Sequence, residues 1–136
     1  MKTIVIFYSY TGHAKALAQK AAEKESADIA EIRDLRRPSK FRAFALGCFA
    51  AVRGKSWPIQ PLGTDLAAYD RLILFSPIWA GNTPPAVNAL LEQVPENKTV
   101  LVKAVSASGS SACKERIEAV IKPRGGHLES FENIKS

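Results

Sequence analysis

Three short stretches carry most of the chemistry that the residue types permit. Ser9, Tyr10, Thr11, Gly12, His13 and Ala14 combine two small hydroxyls with a glycine, directly before an apolar pattern of helical period. A helix N-terminus presents unpaired amide groups and the positive end of its dipole. Ser9 and Thr11 add hydrogen bonds, and Gly12 lets an anion come close to the backbone. A phosphate suits that loop, although an ordinary capped turn has the same composition. Ser76, Pro77, Ile78, Trp79, Ala80, Gly81 and Asn82 set a large aromatic between a turn proline and a glycine. Trp79 can lie against a planar heteroaromatic ring or fill a core, while Ala80, Gly81 and Asn82 offer backbone groups to a polar rim. Ser106, Ala107, Ser108, Gly109, Ser110 and Ser111 form a third small, polar loop.

These loops require a scaffold that brings them to one edge. Thr3 to Tyr8, Leu72 to Phe75 and Thr99 to Val105 are short, nearly continuous apolar runs, as buried parallel strands are. Ala27 to Arg33 and His127 to Phe131 are extended but interrupted by Asp28, Glu31, Arg33, His127 and Glu129, which suits sheet edges. Between them run helical patterns. Ala14, Leu17, Ala18, Ala21 and Ala22 share one face, and Thr83-Pro84 opens a helix with Val87, Leu90, Leu91 and Val94 on one side. Cys113, Ile117, Val120 and Ile121 repeat the spacing before Pro123 and Gly125-Gly126. A further helix is expected from Ser39, with Phe41, Phe44, Ala45, Cys48 and Val52 as its apolar stripe and Gly54 as its stop; the proline-stiffened connector Trp57 to Gly63 follows. The alternation predicts an α/β fold, a doubly wound, parallel five-stranded sheet of order 2-1-3-4-5. Its switch point lies between the first and third strands, where the first two loops emerge.

Composition limits the rest. With 136 residues, 46% of them hydrophobic, the chain reads as one domain, 1–136, with a proper core. No apolar run approaches the roughly 20 residues of a membrane span, and the N-terminal run is too short for a signal peptide, so a cytoplasmic protein without a membrane partner is expected. Cys48 and Cys113 lack metal-ligand spacing and read as buried free thiols. The formal charge of +6 is local: Arg33, Arg36, Arg37, Lys40, Arg42, Arg53 and Lys55 stand against Asp34 alone. Without a recognition motif this basic stretch does not point to nucleic acid; it is either a solvated face or a surface for an acidic partner or a nicotinamide phosphate. Other tenants of this strand order lack their residues. A phosphorelay receiver needs acids where Ser9 and Pro77 stand, a small tyrosine phosphatase needs a cysteine in the first loop, and a serine hydrolase needs a nucleophile elbow.

The motifs Tyr8-Ser-Tyr-Thr-Gly-His13, Tyr69-Asp70 ahead of the third strand, and Ser76-Pro-Ile-Trp-Ala-Gly81 resemble the flavodoxin family. Arg53-Gly-Lys55 and the connector after it narrow the resemblance to short bacterial flavodoxin-like proteins, over nearly the whole chain. The resemblance implies FMN, with its phosphate on Ser9 to Ala14, its ring against Pro77 to Asn82, and Ser106 to Gly109 at its other edge. It implies one- or two-electron transfer by the flavin, with no catalytic side chain, and leaves an electron carrier and a small flavin-dependent reductase equally open. It also implies a peptide beside the flavin that reorients on reduction, inexpensively at Gly81. Three departures stand out. Ala14 replaces a usual threonine, the chain is basic where electron-transfer flavodoxins are often acidic, and the usual C-terminal helix is missing after the fifth strand. The last departure leads to an expected homodimer that covers an exposed sheet face. A second reading is a module of this fold that has lost FMN and serves in assembly.

Overall fold

The computed structural model describes residues 2–9, 12–35, 46 and 48–135. The strands are β1 (Thr3–Phe7), β2 (Asp28–Glu31), β3 (Arg71–Pro77), β4 (Thr99–Ser106) and β5 (His127–Lys135); the helices are α1 (His13–Glu25), α2 (Pro85–Glu92) and α3 (Lys114–Ile121). All strand pairs are parallel, in the order β2-β1-β3-β4-β5. The expected order is therefore the observed one. Ile4, Val5, Ile6, Leu72, Leu74, Val100 and Val102 are almost wholly buried in the three inner strands, which is why those runs carry no polar alternation. On one face α1 packs Ala14, Ala18 and Ala22 against Val5, Phe7, Ile73, Phe75, Leu101 and Val105. Alanines at every fourth position let this helix approach the sheet closely. Opposite it, α2, α3 and the connector cover the larger core, which includes Leu90, Ile117, Ile121 and Trp79.

Several expectations are corrected. β5 runs four residues beyond Phe131, to Lys135, and Glu129 sits at a bulge where the register shifts between Val100 and Leu101. α2 begins at Pro85, with Pro84 at its N-cap: proline fits the first turn, and the Thr83 hydroxyl instead donates to Asn88 Oδ1 at 2.6 Å. Asn88 in turn donates to the Lys55 carbonyl at 2.7 Å, which satisfies a buried pair. Residues 48–52 are helical, but Ala51 is their buried contact, whereas Val52 is 52% exposed. Arg116 fixes this register by donating to the Ala51 and Val52 carbonyls at 2.7 and 3.0 Å. Ser39, Phe41, Phe44 and Ala45 lie outside the described residues, as do Arg36, Arg37, Lys40 and Arg42. Both cysteines are free; Cys113 is buried at the N-cap of α3, and Cys48 is only half-buried. Burial pushes the Cys113 thiol above its ordinary value, which keeps it protonated and inert.

The sheet face expected to be apolar and open is neither. No large apolar side chain of β3, β4 or β5 is exposed. Beside α1 the face carries Lys103, 2.6 Å from Glu132, and Arg71, 3.8 Å from both Glu25 and Glu129. Charged pairs replace the apolar surface that would have demanded a cover. No helix among the described residues is long and apolar enough to cross a membrane.

The connector after residues 48–52 returns to the carboxyl edge of the sheet. Residues 33–35 and 58–60 pair through Leu35 N–H to Pro58 O at 3.2 Å and Gln60 N–H to Arg33 O at 2.7 Å. The Asp34 carboxylate locks this corner: it accepts from Tyr8 Oη at 2.8 Å and from Trp57 Nε1 at 2.9 Å. Asp34→Ala strips the acceptor from two part-buried donors, and a loss of about 2–4 kcal/mol in urea unfolding is expected, with Asp34→Asn losing about half of that. A loss below about 1 kcal/mol for the alanine variant would contradict this role.

Candidate functional site

The carboxyl edge of the sheet gathers the three loops singled out above. Between β1 and α1 the chain turns at Gly12, whose φ of +97° is open to glycine and strained for other residues. Gly12 N–H donates to Ser9 Oγ at 2.8 Å, so this hydroxyl braces the turn. No side chain among the described residues caps α1, and a Cβ on Gly12 would meet nothing within 4 Å. The start of a 13-residue helix offers the amides and dipole end that suit an anion. Ala14 is 3% exposed, with its methyl in the core under α1, so it contributes its amide and no side chain. His13 is exposed at the first turn, and Tyr10 and Thr11 lie outside the described residues.

After β3 the chain makes a tight turn. Trp79 N–H donates to Asn82 O at 2.8 Å and Asn82 N–H to Trp79 O at 3.0 Å, with Ala80 at φ 51° and Gly81 at φ 82°. Positive φ at both central residues is the mirror-image type I turn, costly for alanine and natural for glycine. The Gly81 carbonyl is fixed by the Ala112 amide at 2.7 Å, and the Ala80 carbonyl by Asn82 Nδ2 at 3.2 Å. Trp79 is not an open platform for a ring. It is 4% exposed and packs edge-on against Tyr8 at 6.0 Å and Trp57 at 6.5 Å between ring centroids. Its two aromatic partners come from distant segments, which its own neighbours in sequence do not reveal.

Facing this turn, the β4–α3 loop is held by its own hydroxyls. Gly109 N–H donates to Ser106 Oγ at 3.0 Å, Ser108 Oγ and Ser110 Oγ are 3.1 Å apart, and Ser111 Oγ donates to Asn133 Oδ1 at 2.7 Å. A hollow of about 520 Å³ lies between the two loops, walled by Ile78, Gly81, Ser106, Ala107, Ser108 and Ala112. This is the size of a small-molecule site, and its lining, which Ser110 and Ser111 complete, is divided between serine hydroxyls and small or aliphatic groups. A second hollow, of about 420 Å³, lies on the other side of the Ser9 turn against the end of β2. The structure thus brings Ser9, Gly12, His13, Ala14, Pro77, Ile78, Trp79, Ala80, Gly81, Asn82, Ser106, Ala107, Ser108 and Gly109 to one edge of the sheet. Asp34, which ties Tyr8 to the connector there, was legible in sequence only as the one acid in a basic stretch.

Residues 3–123 match the family described as NADPH-dependent FMN reductases. The chain belongs to that family. It is accordingly a flavodoxin-like redox protein whose cofactor is FMN. Solved structures of similar fold include a flavoprotein of Lactobacillus acidophilus in complex with FMN, 19% identical over 96% of this chain and 91% of that one, with a TM-score of 0.71. Oxidised flavodoxin 2 of Bacillus cereus is 18% identical over 99% of this chain and 84% of its own, with a TM-score of 0.58. A flavodoxin of Streptococcus pneumoniae is 14% identical over 100% of this chain and 86% of its own, with a TM-score of 0.57. At these identities the likeness is one of fold. No curated protein matches the sequence. Proteins of this family and fold work with redox partners or NADPH.

The strained turn yields a stability test that needs no ligand. Ala80→Gly is expected to raise stability by about 0.5–1 kcal/mol and Gly81→Ala to lower it by about 1–2 kcal/mol. Urea midpoints measure both; an Ala80→Gly variant less stable than the parent would contradict the turn assignment.

Proposed function

We propose that the chain holds FMN with the phosphate on the Ser9–Ala14 turn and the ring in the 520 Å³ hollow between Pro77–Asn82 and Ser106–Gly109, and that it relays electrons as one cytoplasmic domain spanning residues 1–136. The observation that carries this is the glycine-opened start of α1, uncapped among the described residues, at the same edge of the sheet as that hollow. The residues present fit the group. Backbone amides of the first turn and the Ser9 hydroxyl suit a phosphate, while Ile78, Ala107 and Ala112 offer aliphatic contact to a planar ring. FMN supplies the redox chemistry, exchanging one or two electrons; the protein orients it, excludes water and sets local charge. With Trp79 in the core, the contacts from that loop come chiefly from Ile78 and the backbone of Ala80 to Asn82. The missing hydroxyl at Ala14 weakens the phosphate grip. The peptide suited to reorient on reduction is Ala80–Gly81: its carbonyl is held by an exposed hydrogen bond from the Asn82 side chain at 3.2 Å, whereas the following carbonyl is anchored to the Ala112 backbone at 2.7 Å.

For the partner, the exposed apolar side chains Leu46, Phe49 and Val52 stand in the basic stretch, with the Arg53 guanidinium 4.2 Å over the Phe49 ring. That combination suits an acidic redox protein, and its association rate should fall with ionic strength. A homodimer belongs to the same reading and has the same apolar side chains to use; Phe49→Glu should dissociate it in sedimentation velocity, and a parent that sediments as a monomer removes it.

Titration of the apoprotein with FMN, followed by addition of NADPH or NADH, tests the function. Saturable quenching of flavin fluorescence and bleaching of the flavin band by a nicotinamide are expected. The absence of FMN binding would overturn this reading and leave the assembly module in its place. Binding without bleaching would favour a carrier reduced by a protein.

A further inference from the structure

The 520 Å³ hollow between the loops after β3 and β4 has no charged side chain among its described walls. The oxidised flavin ring is neutral, and two-electron reduction with uptake of one proton from solvent adds one negative charge to it. In an uncharged hollow, the nearest charge beyond the walls therefore acts on the reduced ring and hardly at all on the oxidised one.

The end of β5 supplies that charge. Lys135 is the parallel partner of Ser106, where the β4–α3 loop begins. Its side chain lies against the same loop further on: a Cβ built on Gly109 would stand 3.2 Å from Lys135 Cβ and 3.7 Å from its Cγ. Gly109, at φ 71°, is thus the point where the loop makes room for this lysine. Two hydrogen bonds fix the arrangement. Gly109 N–H donates to Ser106 Oγ at 3.0 Å, which braces the stretch that Lys135 touches. Ser111 Oγ donates to Asn133 Oδ1 at 2.7 Å, which ties the end of β5 to the loop.

The other charges nearby offset one another. Lys103 lies 2.6 Å from Glu132, and Lys114 is followed by Glu115 in the first turn of α3. No carboxylate among the described residues pairs with Lys135. A single positive charge thus stands behind the loop on one side of the hollow. Lys135 is exposed, so solvent screens its charge and its effect is modest.

We propose that Lys135 stabilises the reduced, anionic ring of the bound flavin and so raises its reduction potential. The inference rests on the FMN reading for the place of the ring and deepens it, because it separates the two roles left open there. A flavin held more tightly when fully reduced suits a reductase charged by a two-electron donor; a low-potential electron carrier needs the opposite sign beside the ring.

Titrations of oxidised and of reduced FMN against the parent, Lys135→Gln, Lys135→Glu and Lys135→Arg test this, together with the midpoint potential of each complex. Lys135→Gln is expected to bind reduced FMN about threefold more weakly than the parent and oxidised FMN equally well. For Lys135→Glu the loss should be about tenfold, a fall of about 30 mV for a two-electron couple. Lys135→Arg should keep the parent's potential, and high salt should shrink the Lys135→Glu difference. A lysine that only shaped the loop would weaken both redox forms alike. Equal losses for the two forms, or an unmoved potential in Lys135→Glu, would overturn the proposal and leave the FMN reading standing. A parent that binds no FMN would sink that reading and this inference with it.

Discussion

One carboxylate organises the ligand end of this molecule. Asp34 takes hydrogen bonds from the end of β1 through Tyr8 and from the connector through Trp57. It thereby closes a corner that neither segment could hold alone. Trp57 and Tyr8 both pack edge-on against Trp79, from which the tight turn after β3 starts. A charged acceptor shared by two part-buried donors is stronger than a neutral one and costly to lose. The geometry of the ring-side loop thus depends on a residue 45 positions away.

The second constraint is topological. Because β1 lies between β2 and β3, the chain reverses its winding there, and the start of α1 emerges between two crevices instead of beside one. The sequence near that point obeys the demands of an anion: glycine at a positive φ, no capping side chain among the described residues, and a serine that braces the turn. The loops after β3 and β4 meet a different demand. Small side chains and hydroxyls that bond within their own loop leave a hollow whose shape is fixed before any ligand arrives. Such preorganisation lowers the ordering cost of binding.

What could be read from the residues alone follows from the range of the forces involved. The inner strands and α1 were legible because burial on both faces, or one face of alanines, is written locally. The strand order followed from which runs were interrupted by charge. The expected β5 stops at Phe131, ahead of Glu132, which in the fold pairs with Lys103, while Glu129 inside the expected run sits at a bulge. The expected apolar sheet face failed for the same reason, since Lys103 and Arg71 find their acids only once β4, β5 and α1 are assembled. The glycines and hydroxyls of the loops mark a place that the fold brings to one edge of the sheet. The part played by Trp79 within it was hidden, because aromatic packing with Tyr8 and Trp57 is set by long-range contacts. Thr83 looked like a helix cap by local rules and is claimed instead by the buried Asn88.

The central claim is that FMN lies across the start of α1 and the two loops beyond β3 and β4. Backbone amide shifts measured by NMR as FMN is added to the apoprotein test it most directly. The account predicts that the largest changes fall on Gly12 to Ala14, on Gly81 and Asn82, and on Ala107 to Gly109, with Asn97 and Gly125 at the opposite end of the sheet unmoved. Shifts concentrated at that opposite end, or spread evenly over the chain, would contradict it.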